Sequence, residues 1–200
     1  MTKEVQDTRL RLDLVGIPIL ETLFKQGARS DRSVFNIAAL LIGLAVSFFF
    51  LRQPRFVAMV FLCPLFSVLG THGVMGGIGQ EFSVLMGAAP PLIIVISFAN
   101  AMHLVQPMMR AMQQGVSRDA AISQVVREVG PACLLALATT GLALLCLIVS
   151  GSGAIRDFAV ITSIGMAMTY LGCIVTIPVM GRLLLPEDFS RLENAAPNQY

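Results

Sequence analysis

Charged side chains are scarce in this chain: 13% of its 200 residues are Asp, Glu, Lys or Arg, whereas 56% are hydrophobic. An ordinary soluble domain has about 25% charged residues, so this composition is too apolar for one. The charges are also unevenly spread, because five stretches of 19 or more residues contain none: 33–51, 56–80, 82–109, 129–155 and 158–181. A buried helix of a soluble protein could imitate one such stretch but not five. Since a membrane-spanning helix needs roughly 20 apolar residues, we predict five transmembrane helices.

Several functional signals are missing as well. The sequence has no basic block and no basic residues interleaved with aromatics, which argues against nucleic acid as a partner. Its four cysteines show no CxxC pair and no metal-ligand spacing, so we read them as small buried hydrophobes and expect no metal and no cofactor: Cys63, Cys133, Cys146 and Cys173. No nucleophile–base pair is evident, and we therefore expect the chain not to be an enzyme.

The arginines between the predicted helices indicate an orientation. One set of connections carries seven of them, Arg52, Arg55, Arg110, Arg118, Arg127, Arg182 and Arg191, whereas the opposite set carries only Arg156. Positive loops favour the cytoplasm, so the first set predicts the cytoplasmic side. We expect a multi-pass protein of the plasma (inner) membrane, with its C-terminal tail in the cytoplasm.

The N-terminal segment conflicts with that orientation. Residues 1–32 carry six Lys or Arg, yet five spans place them outside, on the periplasmic side. They also lack the apolar core of a secretory signal peptide. Because long exported domains cross regardless of charge, we interpret 1–32 as a polar connector from an exported domain that precedes this chain. The alternative is a free-standing protein with a frustrated topology.

The predicted fold is all-α, a polytopic bundle of five transmembrane helices with a short cytoplasmic amphipathic helix. The domain covers 33–186, a polar tail covers 187–200, and the helices cover about 34–51, 56–73, 90–105, 131–149 and 158–184. The amphipathic helix is predicted from apolar residues at i, i+3, i+4 and i+7, preceded by Ser117 as an N-cap: Ile122, Val125, Val126 and Val129. The four glycines of THGVMGGIG, residues 71–79, fit either close helix packing or a flexible exit loop.

Polar residues inside the apolar stretches are the candidate functional residues, because unpaired polar groups are costly in a bilayer. Asn100 and His103 lie three residues apart, and Thr139 and Thr140 offer hydroxyls in the middle of the next span. Together they could line a wet path for substrate or protons, since imidazole titrates near neutral pH. The alternative is structural: Asn100 links helices, His103 lies near the interface, and the threonines bond carbonyls of their own helix.

Residues 97–105, SFANAMHLV, resemble the fourth-helix motif of the resistance–nodulation–division (RND) superfamily, in its MMPL-type hydrophobe-exporter branch. In that motif an acidic residue precedes a histidine within a similar apolar frame. Other segments resemble the family in the same order: FFFLRQPRF, AAPPLIIVI, QQGVSRDAAISQVVREVGPA, ALATTGLALLCL and IRDFAVITSIGMAMTYL. The resemblance covers about residues 15–186.

The resemblance implies that the five spans are helices two to six of one of two repeats in an exporter. Such a protein moves lipids or other hydrophobic molecules and is driven by the proton motive force. Asn100 stands where the family has its acidic residue, and an amide carries no titrating proton, whereas His103 matches the family's histidine. Proton coupling would then need a carboxylate from the second repeat or another subunit.

Two alternatives stay open. The same five-helix unit resembles a sterol-sensing domain, which would bind lipid or regulate without pumping. A truncated remnant without function is the other.

Overall fold

The computed structural model describes residues 17–78 and 85–187. All regular secondary structure in these two ranges is helical, as predicted. The α-helices are α1 (Ile17–Leu51), α2 (Pro54–Ile78), α3 (Ala89–Gln113), α4 (Arg118–Glu128), α5 (Gly130–Leu145) and α6 (Gly153–Leu184), with 3-10 turns at Leu85–Ala88 and Cys146–Val149. The predicted tail beyond residue 187 and residues 1–16 of the predicted connector lie outside the described residues.

Five segments are long and apolar enough to span a membrane, which confirms the predicted number. They are Ser33–Leu51, Pro54–Gly77, Met86–Gln113, Arg118–Val149 and Gly153–Leu184, and the fourth joins α4 to α5. The fold is a bundle around α6, which packs along α2, α3 and α5, while α1 lies outside against α2 and α3. The outer faces of α1 and α5 are apolar and exposed, as expected of helices that meet lipid.

Four helices, α1, α2, α3 and α6, are longer than the sequence predicted. α3 runs to Gln113 rather than ending near Val105, although Pro107 lies inside it. Met108 and Met112 are completely buried, and their packing offsets the hydrogen bond that the proline removes. α1 begins at Ile17 and continues without a break into the first span.

The glycine run matches neither of its two interpretations. Residues 71–78 continue α2 as helix, so the described part of the run is not a loop. A Cβ added at Gly73, Gly76 or Gly77 would meet nothing within 4 Å, so these glycines do not permit a close helix contact. Residue 79 lies outside the described ranges.

The amphipathic helix is confirmed as α4. Ile122 and Val125 are buried in the core, and Val126 and Val129 pack against it. Ser117 has the extended backbone of an N-cap, with φ −61° and ψ 149°, but its hydroxyl makes no capping hydrogen bond. The apolar stripe therefore helps to position this helix, whereas a side-chain cap at Ser117 does not.

A polar clasp ties the start of α4 to the end of α6. The guanidinium of Arg118 donates hydrogen bonds to the backbone oxygens of Arg182, at 3.3 Å, and Leu185, at 3.0 Å. Asp119 accepts a 3.2 Å hydrogen bond from the Arg182 side chain. Arg118 thus caps carbonyls that have no partner further along their helix. The clasp puts Arg118 and Arg182 at one end of the bundle, on the side predicted to be positive.

The turn between α1 and α2 contains a strained residue. Arg52 has φ +50°, in the left-handed region, and its N–H bonds the oxygen of Phe48 to close α1. This conformation costs a residue with a Cβ about 1 kcal/mol or more, whereas glycine adopts it without that cost. We expect Arg52→Gly to raise the free energy of unfolding by about 1 kcal/mol. Arg55→Gly, inside α2, is the control and should lower it by about the same amount in SDS titration of the micellar protein.

Candidate functional site

Asn100 lies in α3 and faces the interior of the bundle, with 9% of its surface exposed. Its amide nitrogen donates a 3.0 Å hydrogen bond to the backbone oxygen of Ile96, one turn earlier in the same helix. The amide donor is therefore satisfied locally. This contact does not tie α3 to another helix.

His103 follows Asn100 by three residues, which is about 60° around the helix axis. Because of that offset His103 lies outside the face of α3 that packs against the bundle, and its side chain is exposed. Ala99 and Val95, about one and two turns earlier, are exposed on the same side of α3. The imidazole thus lies on the outer surface of an apolar span rather than beside Asn100 in the core.

Thr139 and Thr140 lie on α5 and are exposed. Both hydroxyls donate to the backbone oxygen of Ala136 at 2.9 Å. These contacts match the structural alternative given for the two threonines, in which each hydroxyl bonds a carbonyl of its own helix. The structure does not join them to Asn100 and His103 in one polar face.

The sequence interpretation missed a buried polar seam between α2, α3 and α6. The hydroxyls of Ser67 and Ser97 lie 3.0 Å apart, and both residues are fully buried. Cys63, Ser67 and Thr71 follow each other every fourth residue along α2, a spacing that could have indicated the seam. Thr169 of α6 is also fully buried, and its hydroxyl has no hydrogen-bonding partner among the described residues.

Glycines let α6 approach this seam closely. A Cβ at Gly172 would lie 3.1 Å from the Ser67 hydroxyl and 3.5 Å from the backbone oxygen of Cys63. A Cβ at Gly165 would overlap the side chain of Ile93. Small residues at such positions are the usual means of packing helices in a membrane.

The second feature that sequence reasoning missed is a cleft between α5 and α6, with a volume of about 520 Å³. Small alanines and a glycine on the two helices leave this space beneath a rim of leucines. The residues around it are Leu134, Leu137, Ala138, Gly141, Leu142, Leu145, Ser163, Met166, Ala167, Tyr170 and Leu171. Among these residues none is charged, and only Ser163 and Tyr170 carry a hydroxyl. We call this space the α5–α6 cleft.

Ser163 joins the two walls of the cleft. Its hydroxyl lies 2.9 Å from the oxygen of Gly141 on α5 and 2.7 Å from the oxygen of Ala159 on its own helix. A single proton is thus shared between two acceptors. The cleft can hold an apolar body of small-molecule size, and it offers a polar contact where Ser163 of α6 meets the Gly141 oxygen of α5.

Within residues 17–78 and 85–187, no three His, Cys, Asp or Glu side chains come together as a metal site. The four cysteines are free, and three of them, Cys63, Cys133 and Cys173, are buried, as the sequence suggested, whereas Cys146 is exposed. The chemistry of the described region is therefore that of hydroxyls, amides and one exposed imidazole in an apolar frame.

Residues 52–177 match the family described as the sterol-sensing domain of SREBP cleavage-activation. The match covers more than half of the chain, from the end of α1 into α6, so this protein belongs to the sterol-sensing domain family. The chain is also similar to MJ1562 of Methanocaldococcus jannaschii, named only as an inferred membrane protein, with 21% identity over 165 residues. These residues are 82% of this chain and 42% of that protein, so the chain spans less than half the length of its relative.

Proposed function

We propose that this chain is a lipid-binding module of a membrane protein, and that the α5–α6 cleft receives the apolar body of the lipid. The cleft carries the proposal, because its volume of about 520 Å³ falls in the range of small-molecule sites. Its walls are apolar, and it lies between α5 and α6, where α6 is the main packing partner of α5. Membership of the sterol-sensing domain family supports a sterol-like lipid as the occupant. The proposal gives the chain no enzymatic step.

Filling the cleft tests this proposal. Ala167 lines it and is exposed, so phenylalanine can be accommodated there without disturbing the core. We expect Ala167→Phe to weaken the binding of cholesterol by tenfold or more, roughly what the loss of one or two buried apolar groups implies. The measurement is equilibrium binding of tritiated cholesterol to the 200-residue chain in phosphatidylcholine nanodiscs.

Ala143→Phe is the matched control, since Ala143 is exposed on α5 but does not line the cleft. It should leave the affinity within a factor of about two of wild type. Equal affinities in all three proteins would place the lipid elsewhere, and undetectable binding to the wild type would remove the proposed function.

We further propose that the intact protein is a transporter of the RND superfamily, in its MMPL-type branch, and exports lipids or other hydrophobic molecules. His103 favours this role because an exposed, titratable imidazole in an apolar span needs a polar partner outside the described bundle. The apolar stretches contain no Asp or Glu, so the carboxylate for proton coupling would come from a second repeat or another subunit. The greater length of the archaeal relative leaves room for such a repeat in that protein.

In the transporter, an imposed proton gradient drives a fluorescent lipid across vesicles that hold the intact protein. We expect His103→Ala to abolish this movement, because it removes the only imidazole of residues 97–105, the side chain proposed to pass the proton. Val95→Ala, which is exposed on the same side of α3 as His103, is the control and should leave the rate unchanged. Lipid binding without gradient-driven movement in the wild type would favour the sterol-sensing alternative, a regulatory module that does not pump.

A transporter of this class would have a defined membrane orientation and localisation. We assign the protein to the plasma membrane, with the N-terminal connector outside and the C-terminal tail in the cytoplasm. The clasp between Arg118 and the end of α6 supports this orientation, since it joins two of the arginine-bearing connections at one end of the bundle.

A further inference from the structure

We propose that Ser163 and the backbone oxygen of Gly141 form a site for the hydroxyl group of a lipid alcohol. The inference rests on the proposed function, because it takes the α5–α6 cleft as the place where lipid binds. It adds the polar contact that selects the lipid. An alcohol oxygen inserts between the two helices, accepts the hydrogen bond of Ser163 and donates its own proton to the Gly141 oxygen.

The geometry of Ser163 is the first support. Its hydroxyl has one proton and two acceptors in range, Gly141 at 2.9 Å and Ala159 at 2.7 Å. Only one of these bonds can be well directed at any moment, since hydrogen bonds weaken steeply away from linearity. The contact across the helices is therefore easily exchanged for a contact with a ligand, while Ala159 belongs to the same helix as the donor.

The polarity of the cleft is the second support. Because none of the described side chains around it is charged, the charged headgroup of a phospholipid would enter without a counter-charge. A neutral hydroxyl needs one donor and one acceptor, which Ser163 and Gly141 supply together. The other hydroxyl of the cleft, on Tyr170, lies seven residues further along α6, about 10 Å away along the axis.

The depth of Ser163 is the third support. It lies six residues, or about 9 Å along the helix, from Asp157, which with Arg156 forms the charged pair of residues near the start of α6. A lipid hydroxyl at Ser163 stays near this polar end, and the apolar body extends along the leucines toward Tyr170 and Leu171. This is the orientation of an amphipathic alcohol that enters from the leaflet next to the α5–α6 turn.

The test compares cholesterol with its methyl ether, which keeps the ring system and an acceptor but has no proton to donate. Both are measured by equilibrium binding to the 200-residue chain in phosphatidylcholine nanodiscs. We expect the wild type to bind cholesterol roughly fivefold more tightly than the ether, the usual worth of one hydrogen bond. This comparison needs no substitution and so does not depend on the folding of a variant.

Substitutions then locate the contact. Ser163→Ala should weaken cholesterol binding by roughly fivefold, because the ligand oxygen loses its donor, and Ser163→Thr should restore it. Tyr170→Phe, which removes the other hydroxyl of the cleft, asks whether the ligand hydroxyl lies there instead. Thr162→Val is the control and should change the affinity by less than a factor of about two, because Thr162 does not line the cleft and bonds carbonyls of its own helix.

The outcomes separate this inference from the proposed function. Equal binding of cholesterol and ether, with both blocked by Ala167→Phe, would overturn the hydroxyl site and leave the cleft as the lipid site. A loss caused by Tyr170→Phe and not by Ser163→Ala would likewise overturn it, since the hydroxyl would then lie at Tyr170. Binding that Ala167→Phe does not affect would remove both proposals.

Discussion

Replacement of Gly165 by leucine should lower the free energy of unfolding by about 3 kcal/mol, the upper end of the usual cost of overpacking. A Cβ at this position already overlaps the side chain of Ile93 and lies 3.6 Å from the Thr71 hydroxyl. Ile93 is 1% exposed and is enclosed by the core, and the cavity beside it, about 10 Å³, is too small to take the displaced side chain. The leucine must therefore push α6 away from α2 and α3, and the Ser67–Ser97 seam lies next to that opening.

SDS titration of the purified chain in mixed micelles, followed by circular dichroism, measures this loss. Gly73→Leu is the control, since a Cβ at Gly73 meets nothing within 4 Å and leucine is the better helix former by about 0.8 kcal/mol. The control should thus be neutral or slightly stabilising. A Gly165→Leu protein as stable as the control would show that α6 does not pack against α3 as described.

Arg118→Ala should have the second-largest effect, a loss of about 2–3 kcal/mol. The substitution removes both hydrogen bonds to the backbone oxygens at the end of α6, and the Arg118 side chain is only 15% exposed. Hydrogen bonds from a charged donor are stronger than neutral ones, so the loss of both at once is costly. We therefore expect α4 to separate from the end of α6 before the rest of the bundle unfolds.

Hydrogen exchange of α4 together with SDS titration measures that separation. Arg127→Ala is the matched control, because Arg127 is exposed on the same helix and takes part in no hydrogen bond of the clasp. The control should change the free energy of unfolding by less than about 0.5 kcal/mol. Equal protection of α4 in both variants would mean that its apolar stripe alone holds it in place.

The spans were predictable because membrane helices must be apolar along their whole length. The charge-free stretch 158–181 therefore predicts a transmembrane helix at α6 whatever its neighbours are. The apolar residues Ile122, Val125 and Val126 predict α4, because their spacing matches the period of a helix. Helix ends were less predictable. The burial of Met108 and Met112 decides that α3 continues past Pro107, and that burial depends on other helices.

The candidate site was less predictable for the same reason. Asn100 and His103 are separated by about 60° around α3, and the edge of the packed face falls between them. Their spacing in the sequence does not show where that edge lies. The Ser67–Ser97 contact and the Ser163–Gly141 contact each join helices that are distant in sequence. In a bundle whose helices are apolar on every side, hydrophobic periodicity gives little information about which face packs against which neighbour.

Photoaffinity labelling tests the central claim, lipid binding in the α5–α6 cleft, most directly. The chain in phosphatidylcholine nanodiscs is irradiated with a diazirine derivative of cholesterol, with and without excess cholesterol, and the labelled residues are identified by mass spectrometry. Lipid bound in the α5–α6 cleft predicts competed labelling within 134–145 of α5 and 163–171 of α6, and its loss in Ala167→Phe. Competed labelling confined to α1 or to the exposed face of α3, with none in these two segments, would contradict it.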